Sequence, residues 1–228
     1  MYPRLVPVAD CGLLVEFGDK IDPTINAQVA TFDRDLMAHG FPGFTESVPS
    51  WSAVFVGFDP LITDHITVQR FAETIIATMK PGAANRTRHE VLACYDTDLA
   101  PDLATMAEKT KLSPDAIIAA HLAGTYVVGM MGFAPGYAYL DGLPETIRLP
   151  RKTSPVRGVP KGSIMLAGSQ CIVSTVTMPS GWWVIGRSPT RILRPENHPP
   201  VLFDMGDEIV FKRIDRKTFD ALSAETAP

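Results

Sequence analysis

Cysteine is scarce in this 228-residue chain: Cys11, Cys94 and Cys171, widely separated and without Cys-x-x-Cys spacing. That excludes a zinc knuckle or a disulfide framework as the organising device. An odd count, with no secretion signal at the N-terminus, fits a reducing cytoplasmic setting. The five histidines (His39, His65, His89, His121, His198) are scattered and form no helical metal-binding pair, so no metal site is expected. There is no Gly-x-x-x-x-Gly-Lys-[Ser/Thr], no Gly-x-Gly-x-x-Gly after a strand and no Gly-x-Ser-x-Gly. Gly158–Ser163 resembles a phosphate loop only superficially, because Lys161 precedes the last glycine. A formal charge of -4 and the lack of a recognition helix or RNA platform argue against nucleic acid.

Charge is absent from one long interval, and negative charge from another. Ala116–Leu140 has no Asp, Glu, Lys or Arg, long enough to span a bilayer. It divides into a short helix, a strand and a Gly/Pro loop, and reads as buried core rather than a membrane segment. Arg148–Arg194 has no Asp or Glu, yet holds Arg148, Arg151, Lys152, Arg157, Lys161, Arg187, Arg191 and Arg194. An otherwise acidic chain thus gathers its cations in one segment, which suits a carboxylate, a phosphate or an acidic partner. The bland alternative is a solvated rim paired with carboxylates from elsewhere in the fold.

An apolar fraction of 46% and a charged fraction of 20% allow a substantial core. Arg4–Val8 and Leu13–Phe17 read as a hairpin. Asp22-Pro23 starts a helix whose stripe is Ile25, Val29, Phe32 and Leu36, ending at Gly40. Phe41–Phe44 reads as a loop, Ser52–Phe58 as a strand and Ile66–Met79 as a second helix. Pro81–Arg88 is a linker. His89–Tyr95 is a strand, Asp102–Lys109 and Ser113–Leu122 are helices, and Tyr126–Met131 is a strand entering a loop. The rest reads as all β: Ser163–Leu166, Cys171–Thr175, Trp182–Ile185, Arg191–Leu193 and Glu208–Ile214, before a frayed tail at Phe219–Ala227. An α+β domain over 1–84 and a β-barrel or sandwich over 85–228 are expected.

Between Gly132 and Arg187 a string of motifs appears in fixed order. Gly132-Phe133-Ala134-Pro135-Gly136-Tyr137-Ala138-Tyr139-Leu140-Asp141-Gly142-Leu143-Pro144 is followed by Pro150-Arg151, Val159-Pro160-Lys161-Gly162-Ser163, Ala167-Gly168-Ser169-Gln170 and Gly181-Trp182-Trp183-Val184-Ile185-Gly186-Arg187-Ser188-Pro189. This string resembles the KipI/PxpB family, also described as allophanate hydrolase subunit 1, and the resemblance extends over nearly the whole chain. It implies a ferredoxin-like N-terminal domain and a cyclophilin-like β-barrel C-terminal domain. It implies a KipA/PxpC-like partner and a LamB/YcsF-like third subunit of PxpA type, together an ATP-dependent 5-oxoprolinase that opens 5-oxoproline to glutamate. Other branches are the carboxyltransferase part of urea carboxylase and an inhibitor of a histidine kinase. Two departures stand out: Gly168-Ser169-Gln170-Cys171-Ile172-Val173-Ser174-Thr175 and Tyr95-Asp96-Thr97-Asp98 carry side chains where the family has glycines.

The chain lacks a complete nucleophile-base pair, which fits a site completed at a subunit junction. Arg187 and His121 are the catalytic candidates. Arg187, at a strand end, is read either as a bidentate clamp for carboxylate or phosphate or as a structural arginine bonded to loop carbonyls. His121 is read as a general base or a satisfied core residue. Arg151, Arg157 and Lys161 are candidate anion ligands. Gln170 offers one donor and one acceptor to an amide or lactam. Tyr137 lines a pocket or plugs the barrel. Of Trp182 and Trp183, one is expected to face outward as an interface anchor.

Overall fold

The computed structural model describes residues 1–80 and 87–225. The chain divides into two units, residues 1–86 and 87–228. The expected domain boundary between 84 and 85, and residues 81–86 of the expected linker, lie outside the described residues.

The first unit is built from β1 (Arg4–Val8), β2 (Gly12–Glu16), α1 (Pro23–His39), β3 (Phe44–Pro49), β4 (Ala53–Phe58) and α2 (His65–Thr78). The strands form an antiparallel sheet in the order β1-β2-β4-β3. Asp22 starts α1 by accepting from the backbone N–H groups of Thr24 and Ile25, with Pro23 supplying a pre-set φ at the first helical position. Val29, Phe32 and Leu36 of α1 and Val68, Ala72 and Ile75 of α2 are buried, as are Leu13, Val15, Val54 and Val56 on the sheet. The alternation in β2 and β4 thus meets the helical stripes. Phe44, expected to close the Phe41–Phe44 loop, begins β3, which runs on through residues for which no element was expected: its Pro49 and its exposed positions mark an edge strand, which carries little apolar signal.

The second unit begins with β5 (Arg88–Ala93), α3 (Leu103–Thr110), α4 (Pro114–Ala123), β6 (Tyr126–Met131) and β7 (Ala138–Asp141). It continues with β8 (Val156–Val159), β9 (Ser163–Ala167), β10 (Gln170–Val173), β11 (Met178–Ser180), β12 (Trp183–Arg187), β13 (Glu208–Arg213) and α5 (Arg216–Glu225). Seven strands form one sheet in the order β12-β9-β10-β7-β6-β13-β5, and β8 pairs with β11 as a small second layer. Only β13 and β5 run parallel among these pairs. The two edges of the large sheet meet where Cys94, just after β5, bridges Arg187 at the end of β12. The result is a nearly closed, barrel-like sheet in a mixed α/β chain.

Side chains on β9, β10 and β12 alternate between two buried layers. Ile164, Leu166, Cys171, Val173, Trp183 and Ile185 join the inner core with Tyr126, Leu140 and Phe211. Met165, Ala167, Ile172, Trp182 and Val184 form an outer core with Tyr137 and Val159. Strands covered on both faces read as unbroken apolar runs, which is why β9 and β10 stand out in the sequence. Helix α3 packs on β12 and α4 on β13, and their Leu103, Met106, Ile117 and Ile118 complete the inner core.

Three expectations change. Arg191–Leu193 is not a strand; Leu193 makes only an isolated bridge to Val201. The residues from Ala138 to Asp141, Val156 to Val159 and Met178 to Ser180 are strands too short and too Gly/Pro-interrupted to show a period. The tail from Phe219 is part of α5, as far as residue 225. Phe219 is buried against Cys94 and Leu99, and Asp215 caps the helix by accepting from the Thr218 N–H at 2.8 Å. Thr226 and Ala227 lie outside the described residues.

Candidate anion site at the barrel seam

The seam is made by backbone. Cys94 N–H donates to Arg187 O and Arg187 N–H to Cys94 O, each at 2.8 Å. The pairing of β12 with β9 shifts register between Val184 and Gly186. Such an irregularity bends a strand and re-aims the side chain that follows. Here that side chain is Arg187. Gly186 permits the approach: a Cβ there would lie 2.8 Å from Cys94 O and 2.9 Å from the Tyr95 ring.

Arg187 lies between two cavities and lines both. The smaller, about 300 Å³, is walled by the Asp98–Asp102 loop, Lys152, Arg157 on β8, Ser163 and Val184. The larger, about 630 Å³, is walled by Lys161, Gly162, Ser174, Thr175, the Ser188–Leu193 segment and the face of α5. Arg187 Nε donates to Lys161 O at 3.3 Å. Among the described residues no carboxylate comes within ion-pair distance of its guanidinium. Partial burial pulls its pKa down, and Asp98 nearby pulls it the other way. A half-buried cation without a carboxylate partner among the described residues is a position that an anion can complete.

The surrounding charges are already committed. Lys152 Nζ donates to Asp102 at 2.5 Å, and the same carboxylate oxygen accepts from the Val184 N–H at 2.7 Å. This pair ties the start of α3 to β12 and neutralises Lys152. Asp98 is held by Arg216 Nη1 at 2.7 and 2.6 Å, while Arg216 Nε reaches Asp220. The Arg216 bond holds the Asp98 carboxyl below the usual carboxylate range, with a smaller contribution from Arg187. The two acidic groups that line the smaller cavity with Arg187 are therefore engaged with other cations.

Of the candidates from sequence, Arg187, Arg157 and Lys161 come together at these cavities. The others line neither. His121 has no solvent exposure. Its Nδ1 lies 2.8 Å from the Tyr95 hydroxyl and its Nε2 3.5 Å from Cys171 Sγ. A neutral ring that accepts at Nδ1 from Tyr95 and donates at Nε2 toward sulfur satisfies both contacts. Burial pushes its pKa down to about 3. This is the setting of a satisfied core histidine. Tyr137 is buried in the outer core beside Tyr139, and burial pushes its pKa up. Exposed Arg151 stacks over Trp182, 5.5 Å from the ring centroid. Gln170 sits on β10 opposite Asp141.

The expected outward tryptophan is absent. Trp182 and Trp183 do point to opposite faces, but both faces are covered: Trp182 is 5% and Trp183 8% exposed. Trp183 Nε1 donates to Pro150 O at 2.7 Å. Asp98, Asp102 and Arg216 are not among the candidate site residues from sequence, and Lys152 is noted there only as part of the cationic run. Asp102, expected as the first residue of a helix, makes no side-chain cap bond and serves β12 instead.

The fold and this seam define a class. The family described as carboxyltransferase domain, subdomain C and D, matches residues 3–203, and the chain belongs to it; this is the KipI/PxpB grouping that the motif string resembles. The chain is 34% identical over 234 residues to the B subunit of 5-oxoprolinase from Bacillus subtilis (strain 168), covering 98% of each. Among solved structures it is similar to TTHA0988, with a TM-score of 0.81 at 26% identity over 89% of this chain. It spans about two fifths of that protein, 40%. It also shares its fold with the Kluyveromyces lactis urea carboxylase, with a TM-score of 0.74 at 14% identity, covering 94% of this chain and 22% of that one. No helix among the described residues is long and apolar enough to cross a membrane.

Proposed function

We propose that this chain is the B subunit of an ATP-dependent 5-oxoprolinase, acting in the cytoplasm with a KipA/PxpC-like barrel subunit and a LamB/YcsF-like subunit. The observation that carries the reading is the end-to-end similarity to a protein named as the B subunit of 5-oxoprolinase. The seam supports it chemically. The smaller cavity has the scale of a compact cyclic amide acid, and Arg157 and Arg187 both line it. A planar guanidinium pairs with a carboxylate through two parallel hydrogen bonds, so these residues orient the lactam by its acid group. Arg187, lacking a carboxylate partner, also stabilises negative charge as it develops on the lactam carbonyl oxygen. Asp98 does not compete, because Arg216 holds it. ATP supplies the phosphoryl group that activates the carbonyl, and the cationic wall beyond Arg187 suits a cosubstrate of that charge. His121 has a structural role in this reading.

The fold assignment follows the same line. In the first unit β1 occupies the edge that the last strand takes in a ferredoxin-like sheet, and we read this unit as a permuted ferredoxin-like domain. The barrel-like unit we read as cyclophilin-like.

The test is reconstitution of this chain with its two partner subunits. Glutamate release and ATP hydrolysis that both depend on 5-oxoproline are expected, with urea giving no turnover. An assembled three-subunit complex that hydrolyses no ATP in the presence of the lactam would refute the reading.

A further inference from the structure

We propose that the larger cavity, on the opposite side of Arg187 from the smaller one, is a polyphosphate site that takes a nucleoside triphosphate by its phosphates. The inference extends the reading above by assigning its nucleotide to this chain, although its physical basis stands on the cavity alone. Among the described residues, three cations line the cavity, Lys161, Arg187 and Arg191, and no Asp or Glu does. At about 630 Å³ it has roughly twice the volume of its neighbour.

The walls are held before any ligand arrives. Ser188 N–H donates to Gly162 O at 2.8 Å, and Gly162 N–H to Ser174 O at 2.7 Å. Gly162 has a φ of +82°, and a Cβ on it would lie 2.5 Å from Ser188 O. A glycine is therefore required where the Lys161 turn meets the strand of Arg187. Two hydroxyls add donors. Ser188 Oγ accepts from Thr190 N–H and Thr190 Oγ1 from Leu92 N–H, both at 3.1 Å. Each accepted bond fixes the oxygen and leaves its O–H to donate.

The cations differ in readiness. Lys161 makes no ion pair among the described residues, and its side chain is exposed. Arg191 pairs with Glu196 at 2.8 Å, with both side chains about half exposed. A surface pair of this kind is weak, and a polyphosphate, carrying several charges, displaces the single carboxylate. Arg187 lines both cavities. A phosphoryl group held here and an amide held in the smaller cavity then share one arginine. That shared arginine distinguishes the site from a surface patch that merely attracts anions.

The experiment measures binding of inorganic tripolyphosphate and of ATP to the full chain by calorimetry. Comparison variants are Lys161→Ala/Arg191→Ala and Arg157→Ala. Lys161, Arg191 and Arg157 are all exposed, so folding is unaffected and is checked by melting. Saturable binding of one tripolyphosphate per chain is expected. The double variant should weaken it by about tenfold or more, since two charge-assisted contacts are lost. Arg157→Ala, in the other cavity, should leave it unchanged. No saturable binding, or equal weakening by Arg157→Ala, overturns the proposal. In the reconstituted complex, the double variant should raise the KM for ATP and leave that for 5-oxoproline unchanged. Tripolyphosphate binding without lactam turnover would sink the 5-oxoprolinase reading alone. Lactam turnover without tripolyphosphate binding would sink this inference alone.

Discussion

Cys94 and Arg187 exchange two backbone hydrogen bonds of 2.8 Å, and that exchange joins the two edges of a seven-stranded sheet. Fold closure and the proposed anion chemistry therefore meet at one residue. The main chain of Arg187 shuts the barrel, and its side chain stands between two cavities. Substitutions of the side chain leave the seam bonds intact, so structure and activity can be separated here.

The seam tolerates no side chain at Gly186. Gly186→Ala places a Cβ against Cys94 O and the Tyr95 ring, and overpacking of this kind costs about 1–3 kcal/mol. The urea midpoint should fall accordingly. Gly132→Ala is the control, because nothing lies within 4 Å of a Cβ there. Equal midpoints for the two variants would show that the seam yields easily.

His121 makes stability fall in acid. Its folded pKa is about 3, against an ordinary value of 6.5. Above pH 6.5 neither state binds the proton. Below it the unfolded chain protonates while the buried ring refuses, so folding weakens by up to about 1.4 kcal/mol per pH unit as pH falls toward 3. His121→Gln should be less stable at pH 7 but lose stability less steeply between pH 6.5 and 4. Parallel pH profiles would show that the imidazole titrates freely in the folded protein.

How much of this was legible before folding depends on the range of the forces involved. The Pro-capped helices and the doubly covered strands follow from neighbouring residues, and the acid-free run from Arg148 to Arg194 pointed to Arg187, Arg157 and Lys161. Closure did not, because Cys94 and Arg187 are remote in sequence and meet only through backbone atoms, which leave no mark on side-chain pattern. Nor did the burial of both Trp182 and Trp183, since alternation says which face a residue takes but not what covers that face. Helix α5 was missed because its anchors, Phe219 packing on Leu99 and Arg216 bonding Asp98, are tertiary.

Asp141 should act on stability with the opposite sign. Burial raises its folded pKa from 3.8 to about 6, with Arg148 opposing. The folded state thus prefers the protonated form. That preference contributes fully below pH 3.8 and is lost as pH rises through 6. Asp141→Asn removes the penalty: a gain of roughly 1–2 kcal/mol is expected at pH 8, after allowing for solvent screening. The gain should vanish by pH 4. A variant destabilised at pH 8 would mean that the Asp141 carboxylate makes a favourable interaction as an anion.

In the proposed reaction the Arg187 guanidinium carries the chemistry at the seam. The most direct measurement is lactam-dependent ATP hydrolysis by the reconstituted complex with Arg187→Lys and Arg187→Gln, alongside proof that each variant assembles and melts normally. Losing a donor aimed at developing charge costs on the order of 100-fold in kcat. Both variants should show such a loss, because a point charge does not replace a planar fork. Turnover within about threefold of the parent in either assembled variant would contradict the account.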